Sequence, residues 1–289
     1  MSRIDDVKTW WRENPQTYGD AHGVPSYEGK SFEEGSPEFF RKLDEEFFSW
    51  NKPLHGEKPF DRIFPYAQMK GSKTLEVGCG MGTMAMQWAL AGASVHAVDL
   101  NEKAIEMTRK RFELFNLSGD IRQSDAHSLP FEDKEFDYIY SWGVLHHSPD
   151  IAGSFKELFR TLKPGGSFGI MLYNRNSLLH GLNTVMREKV LHMEGHFLND
   201  LELASRYGDG FEAEGNPHTW PITPREFEEM LHPYSSQFSL KILGTDIDGI
   251  FKLWLPALGL FIPAFLKKPW ARRWGWSIWA HGKKNNGTD

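Results

Sequence analysis

The stretch KTLEVGCGMGTMAMQWALAGASVHAVDL, residues 73–100, decides the fold of this chain. It predicts a buried strand over residues 74–77, a glycine loop, an amphipathic helix over 83–91 and a second strand over 94–98 that ends at Asp99. Strands buried on both faces of a parallel sheet are continuously apolar, and a glycine loop before a helix lets a ligand approach backbone N–H groups. The stretch therefore predicts an α/β unit that binds a nucleotide-like ligand.

The spacing of the loop glycines bears on the kind of ligand. A dinucleotide-binding fold has the pattern G-x-G-x-x-G, whereas this chain has Gly78, Gly80 and Gly82. Thr83 stands where the third glycine of the dinucleotide pattern would fall. An acid about twenty residues after the loop, here Asp99, would bind ribose hydroxyls in either kind of site. The pattern thus disfavours an NAD(P)-dependent oxidoreductase, which stays an alternative.

Composition and charge narrow the classes of function. With 289 residues and 40% apolar content, the chain can form one large α/β domain with elaborations. A net charge of -6 and a pI near 6.1 give no overall basic field for a nucleic-acid backbone, so nucleic acid is not expected as a partner. A single cysteine excludes an internal disulfide framework, and residues 1–20 lack the apolar core of a secretory signal. We therefore expect a cytoplasmic protein.

The chain divides into an N-terminal cap, a core, a lid and a C-terminal region. Residues 1–71 are rich in aromatic side chains and predict a helical cap, with Ser36 capping a helix over 37–49. Residues 72–173 alternate strands and helices, which predicts a parallel sheet with right-handed crossovers. Residues 174–222 are polar and contain several glycines, which predicts an irregular lid insertion.

Residues 223–289 complete the predicted sheet. Thr223 begins a capped helix, and a last strand is expected over 276–281, antiparallel to the strand before it. The apolar segment 250–270 lies between this last strand and the strand before it, which is expected around residues 239–243. Within the core, the breaker Lys-Pro-Gly-Gly at 163–166 predicts the end of a helix and a turn before the fifth strand.

Five motifs follow one another in the core: LEVGCGMGT, VDLN, SDAHSLPF, FDYIYSWGVLHHSPD and LKPGGSF. In this order and spacing they resemble the small-molecule class I S-adenosylmethionine (SAM)-dependent methyltransferases, most of all the quinone-methyltransferase-like group, methyltransferase type 11. The resemblance implies a doubly wound, Rossmann-like sheet of seven mostly parallel strands with an antiparallel last strand. It also implies that SAM is the cofactor and S-adenosyl-L-homocysteine the product.

The resemblance assigns cofactor contacts to residues near the ends of the predicted strands: Glu76, Gly78, Cys79, Gly80, Gly82, Asp99, Leu100, Asp125, Ala126, Ser141 and Gly143. The glycine loop and Glu76 would hold the methionine end of SAM, with a structural hydrogen bond as the alternative for Glu76. Asp99 would bind the ribose hydroxyls, and Asp125 would accept from the adenine amino group. Ser141 and Gly143 would line the floor beside the sulfonium. Acids suit hydroxyl and amine donors, which agrees with these roles.

Methyl transfer from a sulfonium is an in-line displacement, so the enzyme mainly aligns the acceptor, and a hydroxyl acceptor also needs a base. His146 and His147 follow the fourth strand, and histidine titrates near neutrality. His147 is our candidate base, with His146 as the alternative and a structural role open for both. Tyr173, at the end of the fifth strand, could position the acceptor or belong to the core. His192 and His196 lack a third ligand, so no metal is expected.

Aromatic side chains outside the core are candidates for binding the acceptor: Trp10, Trp11, Tyr18, Tyr207 and Trp220. Rings bind phenols, lipids and amines alike, so the small-molecule acceptor stays open, with oxygen or nitrogen favoured over carbon. Ordinary packing is the alternative for each ring. A SAM-binding scaffold without catalysis is a further alternative, and the sequence is compatible with a monomer or a homodimer.

The apolar segment 250–270 raises the question of a membrane. Its run LWLPALGLFIPAFL, residues 253–266, contains two prolines and is too short to span a bilayer. The border of the segment is basic, through Lys267, Lys268, Arg272 and Arg273. Residues 250–273 could therefore make a peripheral contact with an anionic membrane and admit a lipid-like acceptor such as a quinone. The alternatives are a fold over the acceptor pocket and a dimer contact.

Overall fold

The computed structural model of the chain describes residues 3–13, 26–27, 30–208, 215–244 and 263–286. The α-helices in these ranges are α1 (Arg3–Glu13), α2 (Pro37–Trp50), α3 (Thr83–Leu90), α4 (Glu102–Leu114), α5 (Ile151–Thr161), α6 (Asp200–Gly208), α7 (Pro224–Leu231) and α8 (Ala264–Trp274). The strands are β1 (Ser26–Tyr27), β2 (Lys30–Ser31), β3 (Lys73–Val77), β4 (Ser94–Asp99), β5 (Gly119–Gln123), β6 (Phe136–Trp142), β7 (Leu162–Tyr173), β8 (Gln237–Leu243) and β9 (Ser277–Lys283).

In the described part of the chain, strands β3 to β9 form one seven-stranded sheet in the order β5-β4-β3-β6-β7-β9-β8. The first five of these strands run parallel, whereas β9 pairs antiparallel with both β7 and β8. The predicted fold class is thereby confirmed. The strand order reverses between β3 and β6, and ligands of open α/β sheets bind at the carboxyl ends of the strands at such a reversal.

Helices and loops cover both faces of the sheet, and side chains of β6 contribute to the core on each face. Ile139 points to a core that contains Phe155 of α5 and Phe227 of α7. Its neighbour Tyr140 points to the opposite, aromatic core, where its ring centroid lies 5.4 Å from that of Trp88 in α3. Successive side chains of a strand alternate between faces, so a continuously apolar strand feeds both cores. Both faces are therefore filled by packed side chains, which leaves the edges of the sheet for a ligand.

The predicted helix after Ser36 is present as α2. The N–H of Phe39 donates to Ser36 Oγ at 3.1 Å, which caps the helix. The buried face of α2 packs against α4, where the Arg111 guanidinium lies 4.5 Å from the ring centroid of Phe40. Arg111 Nη1 also donates to Asp44 Oδ1 at 2.8 Å. α2 is thus fixed beside the glycine loop.

The Lys-Pro-Gly-Gly segment at 163–166 corrects one prediction. α5 ends before it, at Thr161, but the segment lies inside β7 and not in a turn before that strand. The ladder to β6 shifts register across these residues, which bulge out of it. Backbone bonds of Lys284, just beyond β9, to Gly165 and Gly166 measure 3.1 and 2.8 Å. Backbone hydrogen bonds to Lys284, which is distant in the sequence, therefore hold residues 163–166 in the sheet.

The insertion 174–222 is more regular than predicted. It contains a π-helix, Leu179–Leu191, followed by a 3₁₀ turn and α6. Gly181 lies within the π-helix, where a Cβ would meet open space, so this glycine marks no turn. A glycine costs a helix only about 1 kcal/mol, which tertiary contacts easily override. In the ranges that the structure describes, no helix is both long and apolar enough to cross a membrane.

Candidate active site

A cavity opens at the carboxyl ends of the strands, where the strand order reverses. Its walls come from the glycine loop, from the turns after β4, β5 and β6, and from α1; they include Gly80, Asp99, Asp125, Gly143, His147 and Trp11. Residues that are far apart in the sequence thus line one space. The fold places this cavity where an open α/β sheet binds its ligand.

The glycine loop between β3 and α3 has backbone conformations that favour glycine. Gly78 and Gly80 have φ angles of +83° and +51°. A Cβ atom on Gly78 would lie 2.1 Å from Cγ2 of Val144, whereas one on Gly80 would meet no atom within 4 Å. The N–H groups of Gly78 and Cys79 donate to Val98 O at 2.8 and 3.0 Å. The loop is therefore anchored to β4 and leaves space for a ligand at Gly80.

Asp99, the last residue of β4, holds the same loop from the opposite side. Its Oδ2 accepts from the N–H of Gly80 at 2.8 Å, and its Oδ1 accepts from the N–H of Asn101 at 2.9 Å. Burial raises the pKa of Asp99, and these backbone donors counteract that shift. Each carboxylate oxygen can accept a second hydrogen bond. Asp99 can therefore accept from a hydroxyl group in the cavity.

Asp125, after β5, has two cationic partners. Nδ1 of His127 lies 2.6 Å from Asp125 Oδ1, and Nζ of Lys8 lies 3.0 Å from Oδ2. Nε2 of His127 lies 2.9 Å from the carbonyl oxygen of Asp150, so both ring nitrogens face acceptors. The bond to Asp125 raises the pKa of His127 and holds the pKa of Asp125 well below its usual range. The pair is therefore an ion pair in which Asp125 stays a carboxylate.

Helix α1 lies over the cavity. Val7 is buried and lines the cavity together with Lys8 and Trp11. Asn101 Nδ2 donates to the carbonyl oxygen of Trp11. The indole of Trp11 packs edge-on against His147, with ring centroids 5.0 Å apart. α1 therefore bridges the turn after β4 and the histidine after β6.

Three rings meet where β6 and β7 end. The centroid of His146 lies 4.3 Å from that of His147 and 3.8 Å from that of Tyr173. His147 lines the cavity. His146 is 1% exposed, and burial lowers its pKa well below the usual value. His147 is therefore the histidine of the pair that can contact a ligand. Tyr173 packs against His146 and is not among the residues that line the cavity.

The chain is similar to known proteins in sequence and in fold. A profile of the family described as "Methyltransferase domain" matches residues 75–170. A ubiquinone biosynthesis O-methyltransferase from Thiobacillus denitrificans is 32% identical over 163 residues, which cover 53% of this chain and 70% of that protein. The chain belongs to the class I SAM-dependent methyltransferases.

Two further proteins are similar to this methyltransferase. A ubiquinone biosynthesis O-methyltransferase from Pseudomonas putida (strain GB-1) is 32% identical over 145 residues, which cover 49% of this methyltransferase and 62% of that protein. The chain thus spans less than two thirds of that relative. The solved structure of a SAM-dependent methyltransferase from Methanosarcina mazei matches with a TM-score of 0.54 and 20% identity, over 78% of this chain and 99% of that one. At this identity the structural match shows the shared fold.

The cavity of this methyltransferase fits SAM. The predicted cofactor residues that line it are Gly78, Gly80, Asp99, Leu100, Asp125, Ala126 and Gly143. The open space at Gly80 admits a ligand beside the backbone, and the carboxylates of Asp99 and Asp125 can accept from donors of the kind that ribose and adenine carry. The individual contacts with SAM stay predictions.

Four of the predicted cofactor residues are not among those that line this cavity: Glu76, Cys79, Gly82 and Ser141. Ser141 Oγ donates to Val77 O at 2.9 Å and so supports the end of β3. Glu76 is buried, and burial raises the pKa of its carboxyl to about 8. A contact with SAM and a structural hydrogen bond both stay predictions for Glu76.

The rings proposed for the acceptor lie in different places. Trp11 lines the cavity, and Trp10 packs edge-on against it with centroids 4.7 Å apart. Tyr18 lies outside the described residues. Tyr207 and Trp220 belong to the insertion 174–222. Their partners are also there: Tyr207 donates to the carboxylate of Glu194 at 2.7 Å, and the Arg175 guanidinium lies 5.2 Å from the Trp220 ring centroid.

Among the residues of this site that the sequence did not single out are His127, Trp142, Lys8 and Thr219. His127 stands two residues after Asp125 inside a motif, and Trp142 stands between two predicted cofactor residues, so both positions carried a local signal. Lys8 and Thr219 carried none, because each reaches the site from a segment distant in sequence. Only tertiary structure brings such segments together.

Proposed function

We propose that this methyltransferase transfers the methyl group of SAM to a hydroxyl oxygen of a small acceptor with an aromatic or quinone-like ring, and that His147 is the general base. The observation that supports this most is that His147 shares one cavity with Asp99, Asp125 and the glycine loop. Trp11 and Trp142 line the same cavity and offer flat apolar surface to a ring.

Each residue of the cavity has a role in this proposal. SAM, when bound, supplies an electrophilic methyl group on its sulfonium. Gly80 lets the methionine end approach the backbone, Asp99 accepts from the ribose hydroxyls and Asp125 accepts from the adenine amino group. His147 takes the proton of the acceptor hydroxyl at a ring nitrogen. Trp11, on α1, excludes water and aligns the acceptor, and alignment is the larger contribution.

The two ubiquinone biosynthesis relatives described above also favour oxygen as the acceptor atom. Both are named ubiquinone biosynthesis O-methyltransferase, and this name gives oxygen as the methylated atom. A base is required for a hydroxyl acceptor and less so for an amine, which attacks as a neutral group. The family assignment leaves the oxidoreductase alternative without support. We propose a catalytic enzyme and not a scaffold, because the base lies inside the cofactor cavity.

The test uses SAM with an isotopically labelled methyl group and a panel of phenols and catechols, with the products identified by mass. We expect the wild-type protein to methylate a hydroxyl group and His147→Gln to lower kcat roughly 100-fold, because a positioned base contributes about that factor. The dissociation constant of SAM should stay unchanged. His232→Gln, at an exposed histidine, is the matched control. Full activity of His147→Gln, or transfer only to amines, would contradict the proposal.

A second candidate concerns where the acceptor is found. We propose that residues 250–273 contact an anionic membrane surface that holds a lipid-like acceptor. Of these residues the structure describes 263–273, most of α8. α8 carries Lys267, Lys268, Arg272 and Arg273 without an acidic residue, and its Phe265 is 69% exposed. A helix with basic and aromatic side chains binds anionic lipids through charge and buried apolar area.

Vesicle sedimentation tests this contact. We expect the protein to sediment with vesicles that contain an anionic phospholipid, and to stay in solution with purely zwitterionic vesicles. Lys268→Gln with Arg272→Gln should reduce the bound fraction severalfold, because each basic residue near the surface contributes about 1 kcal/mol. Lys52→Gln with Lys58→Gln, an equal charge change at exposed residues elsewhere, is the control. Equal loss in both double variants would exclude a specific role for α8.

A further inference from the structure

The histidine that lines the cofactor cavity is held by a segment of the lid, residues 216–219. Nδ1 of His147 lies 3.1 Å from the carbonyl oxygen of His218 and 3.0 Å from Oγ1 of Thr219. Thr219 is fully buried, and Asn216 is 3% exposed. Bulk water therefore does not compete for these hydrogen bonds.

The donors and acceptors of this segment admit one assignment. A carbonyl oxygen only accepts, so the bond to His218 O requires a hydrogen on Nδ1 of His147. Asn216 Oδ1 accepts from the N–H of His218 at 3.0 Å, which orients the amide of Asn216. Thr219 Oγ1 donates its hydrogen to Asn216 Oδ1 at 2.8 Å and accepts from Asn216 Nδ2 at 2.6 Å. Its remaining lone pair accepts from His147 Nδ1.

We propose that the lid segment 216–219 locks His147 in the tautomer with its hydrogen on Nδ1, so that Nε2 is the atom that accepts the proton of the acceptor. A neutral imidazole with a hydrogen on Nδ1 has its lone pair on Nε2. Thr219 is a positioning residue, because it contacts His147 and not the substrate. The inference deepens the proposed function and rests on it for the role of His147 as base.

The same segment connects the base to the helices of the lid. The N–H of Thr219 donates to Ser205 Oγ of α6 at 2.8 Å, and the N–H of Trp220 donates to the carbonyl oxygen of His146 at 2.9 Å. A displacement of the lid would take both acceptors away from Nδ1 of His147. In this proposal the position of segment 216–219 therefore controls whether His147 is competent as a base.

NMR of the protein with ¹⁵N-labelled histidine tests the lock, because protonated and unprotonated ring nitrogens have different chemical shifts. We expect His147, assigned by the signals lost in His147→Gln, to carry its hydrogen on Nδ1 at about pH 8.5, above the ordinary range of histidine titration. Thr219→Val, without the hydroxyl, should show a fraction with the hydrogen on Nε2. Thr219→Ser should restore the wild-type spectrum. A wild-type His147 with its hydrogen on Nε2 would overturn the proposal.

Measuring kcat for the same variants shows whether the tautomer of His147 matters for its role as base. We expect Thr219→Val to lower kcat about tenfold, the worth of one good hydrogen bond, while the dissociation constant of SAM stays unchanged. Thr219→Ser should recover most of kcat. If Thr219→Val folds poorly, Ser205→Ala can replace it, because this variant removes the hydrogen bond between α6 and the segment. It should also give a fraction of His147 with the hydrogen on Nε2 and a lower kcat. A variant of this kind with wild-type tautomer and wild-type kcat would count against the proposal.

The two proposals fail in different ways. The wild-type protein could methylate no hydroxyl acceptor and still carry the hydrogen of His147 on Nδ1. This result would refute the proposed function and support the proposed tautomer of His147. Conversely, the wild-type protein could methylate a hydroxyl group and carry the hydrogen of His147 on Nε2. This result would refute the proposed tautomer and leave the proposed function standing. The spectra and the activity assay therefore decide the two questions separately.

Discussion

Gly78 has the strictest steric requirement of the cofactor loop. Its φ angle is +83°, and the side chain of Val144 occupies the place of a Cβ atom. Gly71 is a matched control, since its φ angle is +77° but no atom lies within 4 Å of a Cβ. We expect Gly78→Ala to lower the free energy of unfolding by about 1–3 kcal/mol more than Gly71→Ala, and to weaken SAM binding. Urea denaturation and a SAM titration check this, and equal costs would contradict it.

The ion pair of His127 with Asp125 predicts a dependence of stability on pH. The raised pKa of His127 gives stability that is complete below about pH 6.5 and is lost as the pH rises through the pKa of the folded protein. The lowered pKa of Asp125 gives stability that is complete above about pH 4 and is lost as the pH falls through the folded value. The pair therefore stabilises most between about pH 4 and 6.5.

Urea denaturation of wild type and His127→Gln over a pH series measures this contribution. We expect the difference in free energy of unfolding to be largest in that acidic range and to shrink above neutrality. His232→Gln is the control for the loss of a histidine, and its difference should vary less with pH. A difference between wild type and His127→Gln that grows above neutrality would contradict the ion pair.

At the scale of elements, α1 covers a cavity whose other walls come mainly from the loops at the carboxyl edge of the sheet. Val7 faces this cavity and is 6% exposed, whereas Thr9 on the same helix is exposed. An unpaired charge on the buried face should detach α1, because burying such a charge is costly. We expect Val7→Asp to raise the dissociation constant of SAM about tenfold, since about 1.4 kcal/mol of apolar contact and water exclusion is lost.

Stopped-flow tryptophan fluorescence locates this effect in dissociation, because Trp11 lies on α1 beside the cavity. We expect Val7→Asp to release SAM faster with little change in the association rate. Thr9→Asp adds the same charge to the exposed face and should leave both rates within about twofold of wild type, as surface substitutions usually do. Equal effects of the two variants would show that charge, and not detachment of α1, changes binding.

At the scale of the whole molecule, the residues that could be predicted for the site are those that stand at the ends of the strands of the sheet. Asp99 ends a strand, and Asp125 and His147 each follow one. A parallel sheet therefore brings all three to one edge, and this could be predicted from strand order alone. Helix α2 was predictable as well, because Ser36 and the apolar spacing are local signals.

Contacts between distant segments could not be predicted in this way. The position of α1 depends on Lys8 reaching Asp125, and the place of 163–166 in β7 depends on Lys284 beyond β9. The lid contact of Thr219 with His147 joins positions 72 residues apart. Local pattern determines which elements form, whereas such contacts depend on how complete elements pack.

Calorimetric titration with SAM and with S-adenosylhomocysteine tests the central claim, that the cavity beneath α1 is a SAM site. We expect the wild-type protein to bind both ligands with dissociation constants in the micromolar range, and Asp99→Ala, checked to be folded, to lose this binding. Asp120→Ala removes a partly exposed carboxylate of β5 and should bind as wild type does. No binding of either ligand by folded wild-type protein, or unchanged binding by Asp99→Ala, would contradict the assignment.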